Sequence, residues 1–212
     1  MRKKIREKAP EKVWIDFKKQ ENLTQEQVEK FKDYAALLLE ENKKINLTAI
    51  TSLTGVVRQH FQDSFALQYF VDLKKIKTIA DVGAGAGFPS IPLKILYPNL
   101  NVILIEVNKK KQKFLSELIL ALDLQDIQVV DLDWRTFLRT TKFDVDLFVT
   151  RAALSDDELC RMFRQTCFYK NKKLVYWGTN DWLPQPKNEE YLKEIKDYKL
   201  GKKERKLFFF YL

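Results

Sequence analysis

A short apolar run that ends in a glycine-rich loop constrains the fold of this chain more than any other feature. The run is Thr78-Ile79-Ala80-Asp81-Val82, and it continues as Gly83-Ala84-Gly85-Ala86-Gly87-Phe88-Pro89. An apolar run of this length, followed by glycines, is typical of a buried strand and the turn after it. Pro89 can begin the next helix, because a first helical turn does not need its missing N–H.

Strand-like and helix-like segments alternate after this loop. Lys109–Leu122 has apolar residues on one side at helical spacing, and Asp156–Phe168 is a further predicted helix. The later predicted strands are Val102–Ile105, Ile127–Leu132, Val145–Thr150, Lys173–Trp177 and Lys206–Leu212. Strands that alternate with helices imply a parallel sheet with helices on both faces. We therefore predict a doubly wound α/β fold.

The first 72 residues show helical periodicity instead. Thr24 and Gln27 fit a capping box that begins one helix, and Leu53 to Phe70 is a second helical stretch. The apolar stripe of the first helix consists of Val28, Phe31, Ala35 and Leu38. We expect residues 1–72 to be a helical extension packed on a core of residues 73–212, as one compact unit.

The composition is that of a globular protein, since 45% of the 212 residues are hydrophobic and 32% are charged. No apolar run approaches the roughly 18 residues that span a membrane. The basic N-terminus is not followed by the apolar segment of a secretory signal. Cys160 and Cys167 are too few for a disulfide framework and are spaced unlike a metal site. We expect a cytoplasmic protein without membrane contact or metal.

The net charge of +9 has two explanations that the sequence leaves open. A basic balance favours contact with a polyanion, because lysine and arginine neutralise phosphates. The same charge is compatible with solubility alone. The basic residues cluster most at Arg2–Lys8, Lys109–Lys113 and Lys199–Lys206.

The spacing within the glycine loop favours one class of ligand. A dinucleotide fingerprint, G-x-G-x-x-G, needs glycine at the position of Phe88, whereas this chain has G-x-G-x-G. A loop with no pyrophosphate to hold better fits a nucleoside that carries an amino-acid tail. Glu106 closes the second predicted strand, 19 residues after Gly87, and its carboxylate can accept hydrogen bonds from both ribose hydroxyls. These features predict an S-adenosylmethionine site; the alternative is a glycine-rich turn in an unrelated α/β protein.

The end of the fourth predicted strand narrows the reaction. It reads Thr150-Arg151-Ala152-Ala153 and lacks the Asn/Asp-Pro-Pro-aromatic loop of enzymes that methylate the adenine amino group. Methylation at carbon 5 of pyrimidines needs a cysteine nucleophile, but Cys167 falls on an apolar stripe and Cys160 lies beside that stripe. Reactions without a covalent intermediate remain, and alkylation of a ring nitrogen with a free lone pair is one of them.

Several linked motifs are more specific than the loop alone. They are Asn46-Leu47-Thr48, Arg58-Gln59-His60-Phe61-Gln62-Asp63-Ser64, Leu104-Ile105-Glu106 with Lys109, Lys110, Phe114 and Leu115, and finally Thr150-Arg151-Ala152. Between Phe31 and Gly178 the chain resembles the glucose-inhibited division protein B family. These proteins are bacterial 16S ribosomal RNA methyltransferases that modify N7 of a guanine in the decoding region of the small subunit.

The resemblance implies a class I methyltransferase fold with a mostly parallel sheet of seven strands. It also implies S-adenosylmethionine as the cofactor and 16S ribosomal RNA, or the small ribosomal subunit, as the partner of a monomer. The residues implied to hold the cofactor are Asp81, Gly83, Ala84, Gly85, Gly87, Phe88, Glu106, Asp133, Trp134, Arg135 and Arg151. The residues expected to contact RNA are Asn46, Arg58, Lys109, Lys110 and Trp177.

Arg151 and His60 are the candidate catalytic residues. An arginine that leaves a buried strand at its carboxyl end points into the crevice where ligands bind; the alternative is a surface ion pair. The alternative for His60, the single histidine, is a hydrogen bond between the N-terminal helices and the glycine loop, with Asp63 orienting the ring. Local capping near Leu53 is the alternative for Asn46.

Three departures from the family pattern keep other functions open. Ser90 stands where the family usually has Gly, Asp133-Trp134-Arg135 replaces Arg-Ala-Glu, and Tyr176-Trp177-Gly178 replaces Leu-Lys-Gly. Arg135 can restore one lost charge, and Trp177 can stack on a base. The alternatives are a paralogue that binds cofactor or RNA without this reaction, and a methyltransferase for small molecules.

Overall fold

The computed structural model describes residues 2–151 and 153–212, and within them the strands form one seven-stranded sheet. The strands are β1 (Thr78–Val82), β2 (Asn101–Ile105), β3 (Ile127–Val130), β4 (Leu147–Thr150), β5 (Lys173–Thr179), β6 (Leu192–Leu200) and β7 (Lys203–Phe210). Their order is β3-β2-β1-β4-β5-β7-β6. Strands β1 to β5 are parallel, and β7 is antiparallel to both of its neighbours. The predicted doubly wound, mostly parallel sheet is confirmed.

Helices precede the sheet and connect its parallel strands. They are α1 (Arg2–Glu21), α2 (Gln25–Ile45), α3 (Leu53–Val56), α4 (Asp63–Phe65), α5 (Ser90–Leu96), α6 (Lys109–Ala121), α7 (Trp134–Thr140) and α8 (Asp156–Leu159). A π-helical segment, Val57–Gln62, joins α3 to α4 without a break. Short 3-10 turns occupy Ala66–Tyr69, Leu73–Lys75, Cys160–Phe163 and Pro186–Tyr191. Among the described helices, none is both long enough and apolar enough to cross a bilayer.

Helix α2 begins and ends as its sequence dictates. The Oγ1 of Thr24 accepts from the Gln27 N–H at 3.2 Å, and the Thr24 N–H donates to Gln27 Oε1 at 2.9 Å, so the capping box is present. All four residues of the predicted apolar stripe are buried. Asn46 ends the helix in the left-handed region, with φ of 50°. The cap of the helix at Leu53 is Ser52 instead, so the expectation that Asn46 caps that helix is wrong.

Two hydrophobic clusters cover the two faces of the sheet, because successive side chains of a strand point to opposite faces. Ile79 and Leu104 belong to the cluster that includes α1, α2, α5 and α6. Ala80, which follows Ile79, and Ile103, which precedes Leu104, belong to the cluster that includes α7 and α8. The N-terminal helices therefore cover one face of the sheet and share its core.

Two predicted elements in the second half of the chain differ from the structure. The helix predicted over Asp156–Phe168 consists of α8 and one 3-10 turn, and it ends at Phe163. Strand β6 was not predicted, because it lies at the edge of the sheet and Lys193, Glu194, Lys196, Asp197 and Lys199 give it a charged composition. Charged residues protect an edge strand from pairing with other chains, and they hide the apolar pattern that marks a strand.

Candidate functional site

A cavity of about 420 Å³ opens at the carboxyl ends of the parallel strands, next to the glycine loop. The chain runs from β1 outward to β3 and then returns to β4 on the other side of β1, and ligands bind at such a switch point in doubly wound sheets. The cavity is within the usual size range of small-molecule sites. The predicted site residues that line it are His60, Gly83, Ala84, Gly85, Phe88, Glu106, Asp133, Trp134 and Arg151.

The cavity wall also contains residues that sequence reasoning missed. They are Leu47, Thr48, Val82, Ala86, Ile105, Val107, Lys111, Leu132, Ala153 and Leu154. Leu47 and Thr48 belong to a motif that carries the resemblance, so a signal for them was available. Lys111 is the third residue of α6, whose N-cap is Asn108, and nothing in the sequence separates it from Lys109 and Lys110.

Close approach of neighbouring elements explains two of the glycines. Gly83 has φ of +69°, and a Cβ there would lie 2.3 Å from the Ala153 Cβ. Gly87 has φ of +94°, and a Cβ there would lie 2.9 Å from the Tyr34 hydroxyl, which donates to the Ala86 carbonyl at 2.5 Å. Gly87 is not part of the described cavity wall, so it serves the packing of α2 against the loop.

Glu106 links the glycine loop to the end of β2. Its carboxylate is almost fully buried, yet it lines the cavity. Oε2 accepts from the Gly85 N–H at 2.9 Å, and Oε1 accepts from the Asn108 N–H at 2.8 Å. A carboxylate oxygen can accept more than one hydrogen bond, so both oxygens retain capacity for donors in the cavity.

Asp81 lies beneath the loop, outside the described wall of the cavity. It is fully buried, and Oδ2 accepts from the Ser90 hydroxyl at 2.6 Å. Oδ1 has no hydrogen-bond partner among the described residues. Burial raises the pKa of this carboxyl to about 7, against the opposing hydrogen bonds from Ser90. The serine that replaces the usual family glycine thus partners one oxygen of this acid.

Arg151 and His60 form one hydrogen-bonded unit beside the cavity. Arg151 Nη2 lies 2.8 Å from His60 Nδ1, and His60 Nε2 lies 2.7 Å from Thr48 Oγ1. Arginine only donates, so Nδ1 accepts and the ring proton is on Nε2. The His60 ring stacks on Phe88 at 4.3 Å between centroids, and the guanidinium lies 4.9 Å from the centre of the same ring. Burial, helped by Arg151, lowers the pKa of His60 to about 3.

These contacts distinguish between the two roles considered for His60, direct chemistry and a structural hydrogen bond. Both ring nitrogens are occupied, so neither is free to accept a proton from a substrate in this conformation. The predicted role of Asp63 is also wrong, because Asp63 bonds to Arg151 at 3.2 Å and not to the histidine. His60 therefore holds Arg151 by a hydrogen bond and presents no free ring nitrogen to the cavity.

Asp63 is the centre of a buried ionic network. Only 2% of its surface is exposed, and its carboxylate accepts from Arg151, Arg205 and the Tyr198 hydroxyl. The Arg151 side chain is 14% exposed and that of Asp63 is 2% exposed, so their pair is not a surface ion pair. A buried carboxylate that holds two arginines keeps each of them in one orientation.

Trp177 does not face the site, and its predicted stacking on RNA is wrong. It is 1% exposed, lies in the cluster with the N-terminal helices, and donates from Nε1 to the Asp63 carbonyl at 2.9 Å. A base cannot reach a ring that is enclosed in this way. Alternate residues of a strand point to opposite faces of the sheet, and position 177 of β5 points to the face that the N-terminal helices cover.

The remaining predicted residues lie outside the described cavity wall. Arg135 donates from Nε to Glu158 at 2.7 Å, so it points away from the cavity and does not restore the missing charge. Asn46, Arg58, Lys109 and Lys110 are exposed, and Lys109 pairs with Asp131. Within the described ranges, no cluster of three His, Cys, Asp or Glu side chains has the arrangement of a metal site.

This strand order, with a glycine loop after β1 and an acid after β2, defines a class I methyltransferase fold. Solved structures agree: the chain superposes on MtNAS in complex with MTA and tNA with a TM-score of 0.60, at 14% identity over 85% of this chain and 74% of that one. A SAM dependent methyltransferase from Aquifex aeolicus gives a TM-score of 0.54, at 18% identity over 82% of this chain and 98% of that one. At this identity the likeness concerns the fold.

Sequence comparison identifies the family within that class. Residues 27–205 match the family model described as rRNA small subunit methyltransferase G, and the chain belongs to this family. The protein of that name from Lysinibacillus sphaericus is 42% identical over 137 residues, which are 64% of this chain and 58% of that protein. The one from Bacillus pumilus is 49% identical over 100 residues, 47% of this chain and 42% of that protein. The chain therefore spans about half the length of the curated relatives it matches.

Proposed function

We propose that this protein transfers a methyl group from S-adenosylmethionine to N7 of a guanine in 16S ribosomal RNA, as a cytoplasmic monomer. The observation that carries the proposal is the cavity at the switch point, with the Glu106 carboxylate on one wall and the fixed guanidinium of Arg151 on another. The names of the relatives, which describe a small-subunit ribosomal RNA methyltransferase, support the choice of RNA.

The residues of the cavity fit this cofactor. Glu106 retains acceptor capacity on both carboxylate oxygens for the ribose hydroxyls, while two backbone N–H groups fix its orientation. When bound, S-adenosylmethionine supplies an electrophilic methyl group on its sulfonium.

The protein's contribution to the reaction is positioning. Guanine N7 carries a free lone pair and no proton, so the reaction needs no general base, in agreement with the occupied nitrogens of His60. Arg151 has five N–H groups, and three of them donate to Gln59, Asp63 and His60. Its remaining donors orient the acceptor base through hydrogen bonds.

A specific observation favours the alternative of a protein that binds cofactor or RNA without this reaction. The family usually has Lys at position 177, and here a buried Trp177 fills the position with its side chain in the core. This chain thus lacks the lysine that the family usually carries at this position.

Transfer to purified RNA and subunits tests the proposal and this alternative together. Protein, S-adenosylmethionine and either 16S ribosomal RNA or small subunits are incubated, and the nucleosides are analysed by mass spectrometry for 7-methylguanosine. Glu106→Ala is expected to weaken cofactor binding by about 1–3 kcal/mol in calorimetry, whereas Glu117→Ala, on the exposed side of α6, leaves it unchanged. Cofactor binding without methylated guanosine would establish the binding-only alternative, and absence of cofactor binding would refute the proposal.

A further inference from the structure

A second cavity lies on the other side of Arg151 from the glycine loop. It has a volume of about 270 Å³, and it shares Arg151 and His60 with the first cavity. Gln59, Asp63, Lys203 and Arg205 complete its polar wall. The hydrogen-bonded pair of Arg151 and His60 therefore separates the two cavities. A molecule in the second cavity contacts the same Arg151 side chain that lines the cofactor cavity.

A groove continues this second cavity along the protein surface. It has a volume of about 640 Å³, and it shares Gln59, Leu200 and Lys203 with the second cavity. One wall is the segment of α3 and the π-helix that carries Arg58, and the other is the turn between β6 and β7 that carries Lys202. We call the second cavity and this groove together the basic groove.

The charge of the basic groove is strongly positive. Its described lining contains the cations Arg58, Arg151, Lys202, Lys203 and Arg205, and Asp63 is the single carboxylate among them. The Asp63 carboxylate is already occupied by two arginines. Arg58, Lys202 and Lys203 are exposed, and none of the three has a carboxylate partner within the described residues. Neutral donors such as Gln62 and Thr54 lie between these cations.

The turn between β6 and β7 holds its lysines in place. Gly201 has φ of +63°, as the first central residue of a two-residue hairpin turn requires. Lys203 donates from Nζ to Gln59 Oε1 at 2.8 Å, across the groove. This contact ties the hairpin to the π-helical segment that also carries His60.

We propose that the basic groove binds the sugar-phosphate backbone of the RNA substrate and directs its target base towards Arg151. The proposal rests on the proposed function, since it assumes an RNA substrate. Cations spaced along an extended groove fit a chain of phosphates, and polar side chains and backbone groups are the usual partners of phosphate and sugar oxygens. These contacts supply affinity and register, whereas the base is selected near the cofactor.

A double charge reversal tests the proposal against a matched control. Lys202→Glu with Lys203→Glu changes the groove at the carboxyl ends of the parallel strands, and Lys74→Glu with Lys75→Glu makes the same change in charge before β1, at the amino ends of those strands. Binding to a 16S ribosomal RNA transcript and to an unrelated RNA of equal length is measured over a salt series. We expect the groove variant to bind both RNAs roughly tenfold more weakly and to reduce the slope of log affinity against log salt by about 2.

Further measurements separate this proposal from the proposed function. Binding of S-adenosylhomocysteine should stay unchanged in the groove variant, because neither lysine lines the cofactor cavity. Loss of the exposed hydrogen bond from Lys203 to Gln59 should lower the thermal midpoint only slightly. Arg58→Glu, on the opposite wall, should also weaken RNA binding. If the wild type methylates RNA but the groove variant has unchanged RNA affinity, or if the control pair weakens binding as much, the groove does not bind RNA. If the wild type neither binds nor methylates RNA, the proposed function fails instead.

Discussion

Arg151 and His60 are joined by a hydrogen bond of 2.8 Å, and both lie against the ring of Phe88 from the glycine loop. The loop, the π-helical segment and the end of β4 thus meet in one contact. A change in any of the three residues is therefore transmitted to the wall of the cofactor cavity.

His60 is expected to stay neutral from pH 8 to about pH 4, because its pKa in the folded protein is lowered to about 3. The unfolded chain binds a proton at this histidine with a pKa near 6.5, whereas the folded protein does not. The contribution of His60 to the free energy of unfolding is therefore fully present above pH 6.5 and is lost as pH falls towards 3. Between pH 7 and pH 5 the wild type should lose about 2 kcal/mol more than His60→Gln in denaturant unfolding. Because the chain has one histidine, its NMR signals give an independent check: a titration midpoint near 6.5 would contradict the buried, hydrogen-bonded ring.

Asp63→Asn is expected to reduce methyl transfer more than cofactor affinity. The change removes the charge that holds Arg151 and Arg205, and breaking a buried ion pair costs about 3–5 kcal/mol of stability. Tyr198→Phe, which removes a single hydrogen bond to Asp63, is a milder companion and should cost about 1 kcal/mol. Glu158→Gln, in a partly exposed network with Arg135 and Arg161, is the control. Equal losses of activity and cofactor affinity in Tyr198→Phe would contradict the positioning role.

Asp81 gives the folded protein a stability that falls with rising pH. Its pKa is raised to about 7 by burial, so the stabilisation is present below the unfolded pKa of an aspartate and is lost as pH rises through 7. Between pH 6 and pH 8 the wild type should lose about 1 kcal/mol relative to Asp81→Asn, which still accepts from Ser90. Unfolding curves of both proteins at the two pH values test this. A difference that is independent of pH would mean that the carboxyl is already ionised at pH 6.

Substitution of Trp177 is expected to act on folding instead of on RNA. Trp177→Lys places a charge in the core, so the variant should be destabilised by more than about 3 kcal/mol. Trp177→Phe keeps an aromatic ring in the core but leaves a small cavity and loses the hydrogen bond to the Asp63 carbonyl, at a cost of about 1–3 kcal/mol. Thermal unfolding measures both. A folded Trp177→Lys protein with improved RNA methylation would show that the side chain can leave the core.

The sequence predicts the sheet well where burial produces an unbroken apolar run. Strands β1, β2 and β4 are buried on both faces by helices, so their composition alone reveals them. The sequence does not predict strand β6, because an edge strand carries many charged residues and because the register of this strand shifts between Leu192 and Glu194. The division of the chain near residue 72 stays a prediction, since one hydrophobic cluster contains residues from both sides of it.

The sequence predicts the glycine loop and Glu106 but not the ionic network around Asp63. The glycine loop and Glu106 are close in sequence, so their spacing carries the information. The contacts of Asp63 reach 88 to 142 residues along the chain, and no local pattern marks such pairs. The prediction that Trp177 contacts RNA followed the family pattern. In the structure the alternation of side chains along β5 directs the Trp177 ring into the core.

The network around Asp63 is completed late in the synthesis of the polypeptide, because its partners lie far apart in the sequence. The glycine loop and Arg151 leave the ribosome well before Tyr198 and Arg205, which follow Asp63 by 135 and 142 residues. Until those two residues have been translated, the carboxylate holds Arg151 without its other partners. A nascent polypeptide therefore acquires its loop early, whereas the Asp63 carboxylate that holds Arg151 gains its other two partners only when the β6–β7 hairpin has joined the sheet.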